Sequence, residues 1–235
     1  MTCADQTGEG RPPAPPAALL DRFFRERAPL ALAFADHLAT SAVTRGLLGP
    51  RELPRVWTRH VLNCAAIQPL VPVGARVADV GSGAGLPGLV LAIARPDLEV
   101  TLVEPLLRRV AWLEEVTKDL DLGNVDVVRA RAEELPKEWA DVATARAVAP
   151  LVKLSAWCLP LVKLGGLMLA IKGRSAAEEL RESFPLLPSL GAVSWEIREV
   201  GRDLLEEATT VVRLRKGTEG PSAGRSGRAR PKGRR

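Results

Sequence analysis

Apolar positions along the chain follow two different periods. Over residues 17–39 they recur at helical spacing, as Leu19, Leu20, Phe23, Phe24, Leu30, Phe34 and Leu38, with Pro29 set to break or kink the helix. Residues 47–54 read as a connector. Residues 54–70 read as a second helix that turns Val56, Trp57, Val61, Leu62, Ala65 and Ile67 inward. From Ala75 the pattern changes to short apolar runs separated by helical stretches. Strands are predicted up to Val80 and at 100–103, 125–129, 140–144 and 167–171, with helices at 89–94, 106–120, 150–163 and 176–183. Residues 192–200 and 209–215 alternate and predict a final antiparallel pair. Strands alternating with helices make a mostly parallel, doubly wound α/β sheet, here preceded by a helical cap.

Composition sets the limits of this picture. The chain has 235 residues, 46% of them hydrophobic, enough for one domain with a real core. Residues 1–16, with Pro12, Pro13, Pro15 and Pro16, read as a disordered leader. Residues 17–74 form the cap, 75–215 the sheet domain and 216–235 a disordered tail. The net charge of +5 is concentrated in that tail, which carries seven basic residues and one acid, Glu219. Such a tail suits either phosphate contact or solubility. Lys153 and Lys163 interrupt the best apolar run, so no membrane span is expected, and no secretory signal precedes the cap. Cys3, Cys64 and Cys158 fit neither a disulfide framework nor a metal site and read as inert thiols of a cytoplasmic protein.

The chemistry centres on Asp79-Val80-Gly81-Ser82-Gly83-Ala84-Gly85-Leu86-Pro87-Gly88, a strand that ends in an acid and a glycine-rich turn before a helix. Glycines at alternate positions allow a sharp turn and close approach of a ligand. Pro87 suits the first helical turn, and the loop is expected to offer free helix N–H groups. Gly83, Gly85 and Gly88 satisfy the dinucleotide pattern G-x-G-x-x-G. Counted from the strand end, however, the run is G-x-G-x-G, with Leu86 where the third glycine should fall. Asp79 also disfavours a diphosphate and favours an amino group. S-adenosylmethionine carries an amino group and a sulfonium and no phosphate. Glu104, ending the second strand, is placed to accept two ribose hydroxyls. Ligands of doubly wound sheets lie beyond the carboxyl ends of the strands, which gathers Gly81–Leu86, Glu104, Arg131-Ala132-Glu133 and Arg146.

These residues carry a resemblance. Arg59-His60 with Asn63, the loop from Asp79 to Gly88, Ala94-Arg95-Pro96, Arg108-Arg109, Arg129 to Glu134, Arg146-Ala147 and Lys172-Gly173 resemble the bacterial methyltransferases that modify guanine N7 in small-subunit (16S) ribosomal RNA, formerly glucose-inhibited division protein B. The resemblance spans about residues 57–172. It implies a class I, Rossmann-like fold with S-adenosylmethionine as cofactor and the small ribosomal subunit as partner. It also implies that Gly81, Leu86, Ala132, Glu133 and Arg146 contact the cofactor; Gly83, Gly85 and Glu104 are expected to line the same site. The family's Trp-Asn and Asn-Leu-Thr motifs ahead of the Arg-His segment are absent here.

Methyl transfer from a sulfonium to an unprotonated ring nitrogen needs alignment rather than acid–base catalysis. No catalytic base and no metal ligand are therefore assigned, and a monomer is expected. Arg146 is the residue expected to matter for transfer. Lys172, Arg108 and Arg109 are candidate phosphate contacts. His60, beside Trp57 and Leu62, reads more readily as a structural hydrogen-bonding residue than as an RNA contact. The alternatives that remain are a methyltransferase of another RNA and a non-catalytic ribosome-binding protein.

Overall fold

The computed structural model describes residues 13–217; the start of the leader, with Cys3, and the basic residues after 217 lie outside the described residues. The cap opens with α1 (Ala17–Phe24) and α2 (Ala28–Ala39), joined by a 3-10 turn over Arg25–Arg27. The break falls ahead of Pro29, which sits in the first turn of α2, where its missing N–H costs nothing. A single turn, α3 (Ser41–Thr44), follows. The predicted helix over 54–70 does not form as one piece. Pro50–Arg55 is 3-10, Val56–Val61 is π-helical, α4 (Leu62–Ala65) is one α turn and Gln68–Leu70 is again 3-10. Pro54 and Pro69 lie in the two 3-10 pieces, where a proline N–H would be missing from a continuous α ladder.

The sheet domain runs β1 (Arg76–Val80), α5 (Gly88–Ala94), β2 (Glu99–Val103), α6 (Leu107–Asp119), β3 (Val125–Val128), β4 (Ala140–Arg146), α7 (Leu151–Cys158), β5 (Val162–Lys172), α8 (Ala176–Ser183), β6 (Ala192–Val200) and β7 (Thr209–Lys216). The seven strands lie in the order β3-β2-β1-β4-β5-β7-β6. β1 to β5 pair in parallel, and β7 is antiparallel to both β5 and β6, as the alternation predicted. The strand order reverses between β1 and β4, and that is where a doubly wound sheet opens a crevice.

Alternating residues of the strands feed two cores. Val77, Val100, Leu102 and Val142 pack with the cap, α5 and α6. Ala78, Val80, Ala143 and Ala145 pack with α7 and α8 on the other face. α5 is apolar all round and buried from Gly88 to Ile93, because it lies between sheet and cap. The Arg95-Pro96-Asp97 turn ties cap to sheet: Arg95 donates to Asp97 at 2.6 Å and to the carbonyls of Gln68, Val71 and Pro72. That guanidinium holds the Asp97 carboxyl down at about 2.

Three boundaries differ from expectation for local reasons. The helix predicted over 150–163 stops at Cys158 and tightens into a 3-10 turn over Leu159–Leu161, where Pro160 has no N–H to continue the α ladder. β5 therefore starts at Val162 and carries Gly165-Gly166 inside it rather than before it. The pairing jumps there from Ala140–Val162 to Val142–Leu167, and a Cβ on Gly166 would lie 2.6 Å from the Asp141 carbonyl. These glycines thus make a bulge rather than a helix stop. Lys216, assigned by sequence to the tail, ends β7 and is 8% exposed, its ammonium donating to the Val162 carbonyl. No helix among the described residues is long and apolar enough to cross a membrane.

Candidate functional site

The loop after β1 is stitched to the end of β2. The N–H groups of Gly81 and Ser82 both donate to the Val103 carbonyl, at 2.8 and 3.2 Å. Ser82 Oγ donates to the Asp79 carbonyl at 2.8 Å. Gly81, Gly83 and Gly85 all have positive φ, which side chains rarely tolerate. α5 begins one residue after Pro87.

Two buried carboxylates hold this loop from behind. Asp79, fully buried in β1, accepts the Gly88 N–H on Oδ2 at 3.0 Å. Glu104, 1% exposed, accepts the Gly83 N–H on Oε2 and the Leu106 N–H on Oε1, each at 3.0 Å. The expectation that the loop offers free N–H groups is thus corrected at Gly83 and Gly88, whose donors are taken by acids. A pyrophosphate would find its donors occupied and two negative groups behind them, so the dinucleotide reading loses its physical basis. A cationic or zwitterionic ligand meets the opposite situation.

Asp79 Oδ1 is buried with no hydrogen-bond partner. Burial, reinforced by the Glu104 charge, pushes its carboxyl up to about 7 against the pull of the Gly88 and Ser82 bonds. A carboxyl raised from 3.8 to about 7 binds its proton more tightly in the folded state. Stability of the free protein therefore falls as pH rises through that window and levels off above it. Affinity for a ligand bearing an ammonium should move the other way and rise as Asp79 ionises. Titration calorimetry between pH ~6 and ~8 should show this rise for S-adenosylmethionine, and Asp79→Asn should flatten it. An equally steep rise in Asp79→Asn would assign the effect to another group.

The remaining predicted residues reach the same edge of the sheet. Ala132 is 6% exposed in a 3-10 turn over Ala132–Glu134, and Glu133 is exposed beside it. That turn is closed by Glu134, which accepts the Arg131 N–H at 2.9 Å. Leu86 is nearly buried at the mouth of the loop. Arg146 is the last residue of β4, two residues further than the predicted strand end, and it is still paired with Ile171.

Arg146 turns toward the cap. Its Nη2 donates to the Arg59 carbonyl at 2.8 Å and to His60 Nδ1 at 2.9 Å, and its Nη1 donates to Cys64 Sγ at 3.2 Å. These contacts use three of the five N–H groups of a guanidinium and leave Nε–H and one on Nη1. His60 is 8% exposed and its Nε2 meets Glu52 Oε2 at 2.9 Å, so the structural reading of His60 stands. Glu52 was missed in the sequence, where nothing marks a carboxylate eight residues ahead of a histidine. Lys172 is also corrected as a phosphate contact. Its side chain is 7% exposed and donates to Glu179 and to the Ala149 carbonyl. Arg109 lies 3.5 Å from Glu104, and Arg108 is exposed at the start of α6.

A seven-stranded sheet of this order, with a glycine loop after β1 and an acid ending β2, defines a class I methyltransferase. Two solved structures share the fold: the tRNA (m1A58) methyltransferase TrmI of Aquifex aeolicus, with TM-score 0.51, 15% identity and coverage of 66% of this chain and 67% of that one, and TYW2 of M. jannaschii in complex with AdoMet, with TM-score 0.50, 18% identity and coverage of 67% and 74%. Sequence takes the assignment further. The family model GidB, rRNA small subunit methyltransferase G, matches residues 27–205, and the chain belongs to that family. Relatives named ribosomal RNA small subunit methyltransferase G include one from Pseudarthrobacter chlorophenolicus, 56% identical over 195 residues, covering 83% of this chain and 90% of the relative. Another, from Corynebacterium glutamicum, is 49% identical over 206 residues and covers 86% and 92%.

Proposed function

We propose that this chain transfers the methyl group of S-adenosylmethionine to N7 of one guanine in small-subunit ribosomal RNA, acting as a monomer in the cytoplasm. Membership of the family across residues 27–205 makes it an S-adenosylmethionine-dependent ribosomal RNA methyltransferase, and this observation carries the reading. The residues present fit the cofactor. Asp79 Oδ1, buried without a partner, suits an ammonium group. The Glu104 carboxylate accepts from the Gly83 and Leu106 N–H groups and from Arg109 Nη1, and keeps a lone pair on Oε1 for a ribose hydroxyl. Ala132 and Glu133 supply the edge of the crevice for the adenine, and the side-chain-free backbone of Gly81, Gly83 and Gly85 with Leu86 supplies its floor.

When bound, the cofactor supplies a methyl group already activated on a sulfonium. Guanine N7 has an exposed lone pair and no proton to lose, so this chain's residues need only align the two reactants. The two remaining N–H groups of Arg146 are the donors proposed to orient the ligands at the transferring centre. Among the described residues a cysteine nucleophile, as pyrimidine C5 chemistry requires, is disfavoured. Cys64 and Cys158 are both fully buried, and burial pushes both thiols up.

The test is methyl transfer from labelled S-adenosylmethionine to small subunits from a strain lacking this protein, read by mass spectrometry of nucleosides. One 7-methylguanosine per subunit is the expected product. Methyl on a different nucleoside or a different RNA would replace the substrate assignment. No transfer to any RNA would leave a ribosome-binding protein.

A further inference from the structure

We propose that Glu52 and His60 form a two-residue clamp that positions the Arg146 guanidinium, so that His60 acts in methyl transfer through Arg146 and without touching RNA. The inference rests on the placing of Arg146 at the transferring centre.

The hydrogen bonds admit one protonation pattern. A guanidinium can only donate, so His60 Nδ1, 2.9 Å from Arg146 Nη2, must be the acceptor. The ring proton then sits on Nε2 and is donated to Glu52 Oε2 at 2.9 Å. Burial, followed by the Arg146 charge, holds the His60 ring down at about 4, so it stays neutral where the enzyme works. The charged groups that face it are Glu52 and Arg59 from the cap and Arg146 from β4. Glu52 keeps its own proton off through the His60 bond and the Arg59 charge, which outweigh its slight burial.

The unusual helix makes the clamp two-pronged. Over Val56–Val61 the turn is wide, and the Leu62 N–H reaches back to the Trp57 carbonyl. Here the Arg59 carbonyl and the neighbouring His60 ring both reach one nitrogen of the same guanidinium, at 2.8 and 2.9 Å. Arginine has many rotamers, and fixing it costs entropy. Three bonds from a buried ring, a carbonyl and a thiol impose that order before any ligand arrives, and they fix the direction of the two N–H groups left over.

The test uses the full chain and four variants, Arg146→Ala among them. His60→Phe removes the acceptor, and Glu52→Ala, at a side chain 28% exposed, frees the ring with little risk to folding. His60→Asn restores an acceptor near the Nδ1 position. His60→Phe and Glu52→Ala should lower kcat ~10- to 100-fold with cofactor affinity and KM for the subunit little changed, and His60→Asn should recover most of the loss. In the wild type the chain has two histidines, so nitrogen NMR can assign the His60 ring. The ring should show the Nε2–H tautomer and stay neutral until pH falls to about 4. A ring that protonates near 6.5, or wild-type kcat in both His60→Phe and Glu52→Ala, overturns the clamp. If Arg146→Ala also turns over normally, the placing of Arg146 has failed; if Arg146→Ala is inactive, only the clamp has failed.

Discussion

Arg146→Ala is expected to lower methyl transfer to small subunits ~100-fold while the protein stays folded. The side chain links the end of β4 to three cap atoms: the Arg59 carbonyl, His60 Nδ1 and Cys64 Sγ. Removing it strands three acceptors, yet Arg146 is partly exposed and water can replace its donors. The stability cost is therefore about 1–2 kcal/mol, a fraction of what a domain of this size holds. The activity cost is larger because the N–H groups proposed to serve the transferring centre vanish together with the bonds that tie Arg146 to the cap. Arg146→Lys should not rescue, since one ammonium cannot satisfy three acceptors in different directions and still face outward. Single-turnover transfer, with circular dichroism and cofactor titration as controls, separates these effects. A normal single-turnover rate would remove Arg146 from the transfer site.

What could be read from the chain was local, and what could not was tertiary. β1, β2 and the final antiparallel pair declare themselves by alternation or by short apolar runs between turns, and they sit where expected. The glycine loop is legible because its backbone needs glycine for reasons internal to the loop. The directions of Asp79 and Glu104 were not, because nothing in the chain says that each carboxylate turns back to bind a loop N–H. Lys172 looked like a free cation at a strand end; only its packing against α8 brings Glu179 to 2.7 Å. Val56–Val61 has a plain helical pattern, and nothing in that pattern announces the π geometry. The His60–Arg146 bond joins residues 86 apart, beyond the reach of any periodicity.

Gly88→Ala is expected to destabilise the protein by about 2–4 kcal/mol, through packing rather than backbone freedom. Gly88 has an ordinary helical conformation, and alanine alone would gain about 1 kcal/mol there by propensity. The space forbids it. A Cβ would press on the Leu102 side chain and lie 2.6 Å from Asp79 Oδ2 and 2.9 Å from Asp79 Cβ. Neither neighbour can retreat, since Asp79 and Leu102 are fully buried and paired with each other in adjacent central strands. Overpacking of this kind costs about 1–3 kcal/mol, and turning the carboxylate away forfeits a bond to a charged group worth about 1.5–3. The melting temperature should fall by roughly 5–10 °C. Cofactor affinity should fall at least ~10-fold as well, because the same carboxylate is the one proposed to take the ligand's ammonium group. Gly123→Ala is the control: nothing lies within 4 Å of its Cβ position, and it should melt like the wild type. Wild-type melting and cofactor affinity in Gly88→Ala would show that Asp79 can move, and would detach the carboxylate from the loop it is here seen to hold.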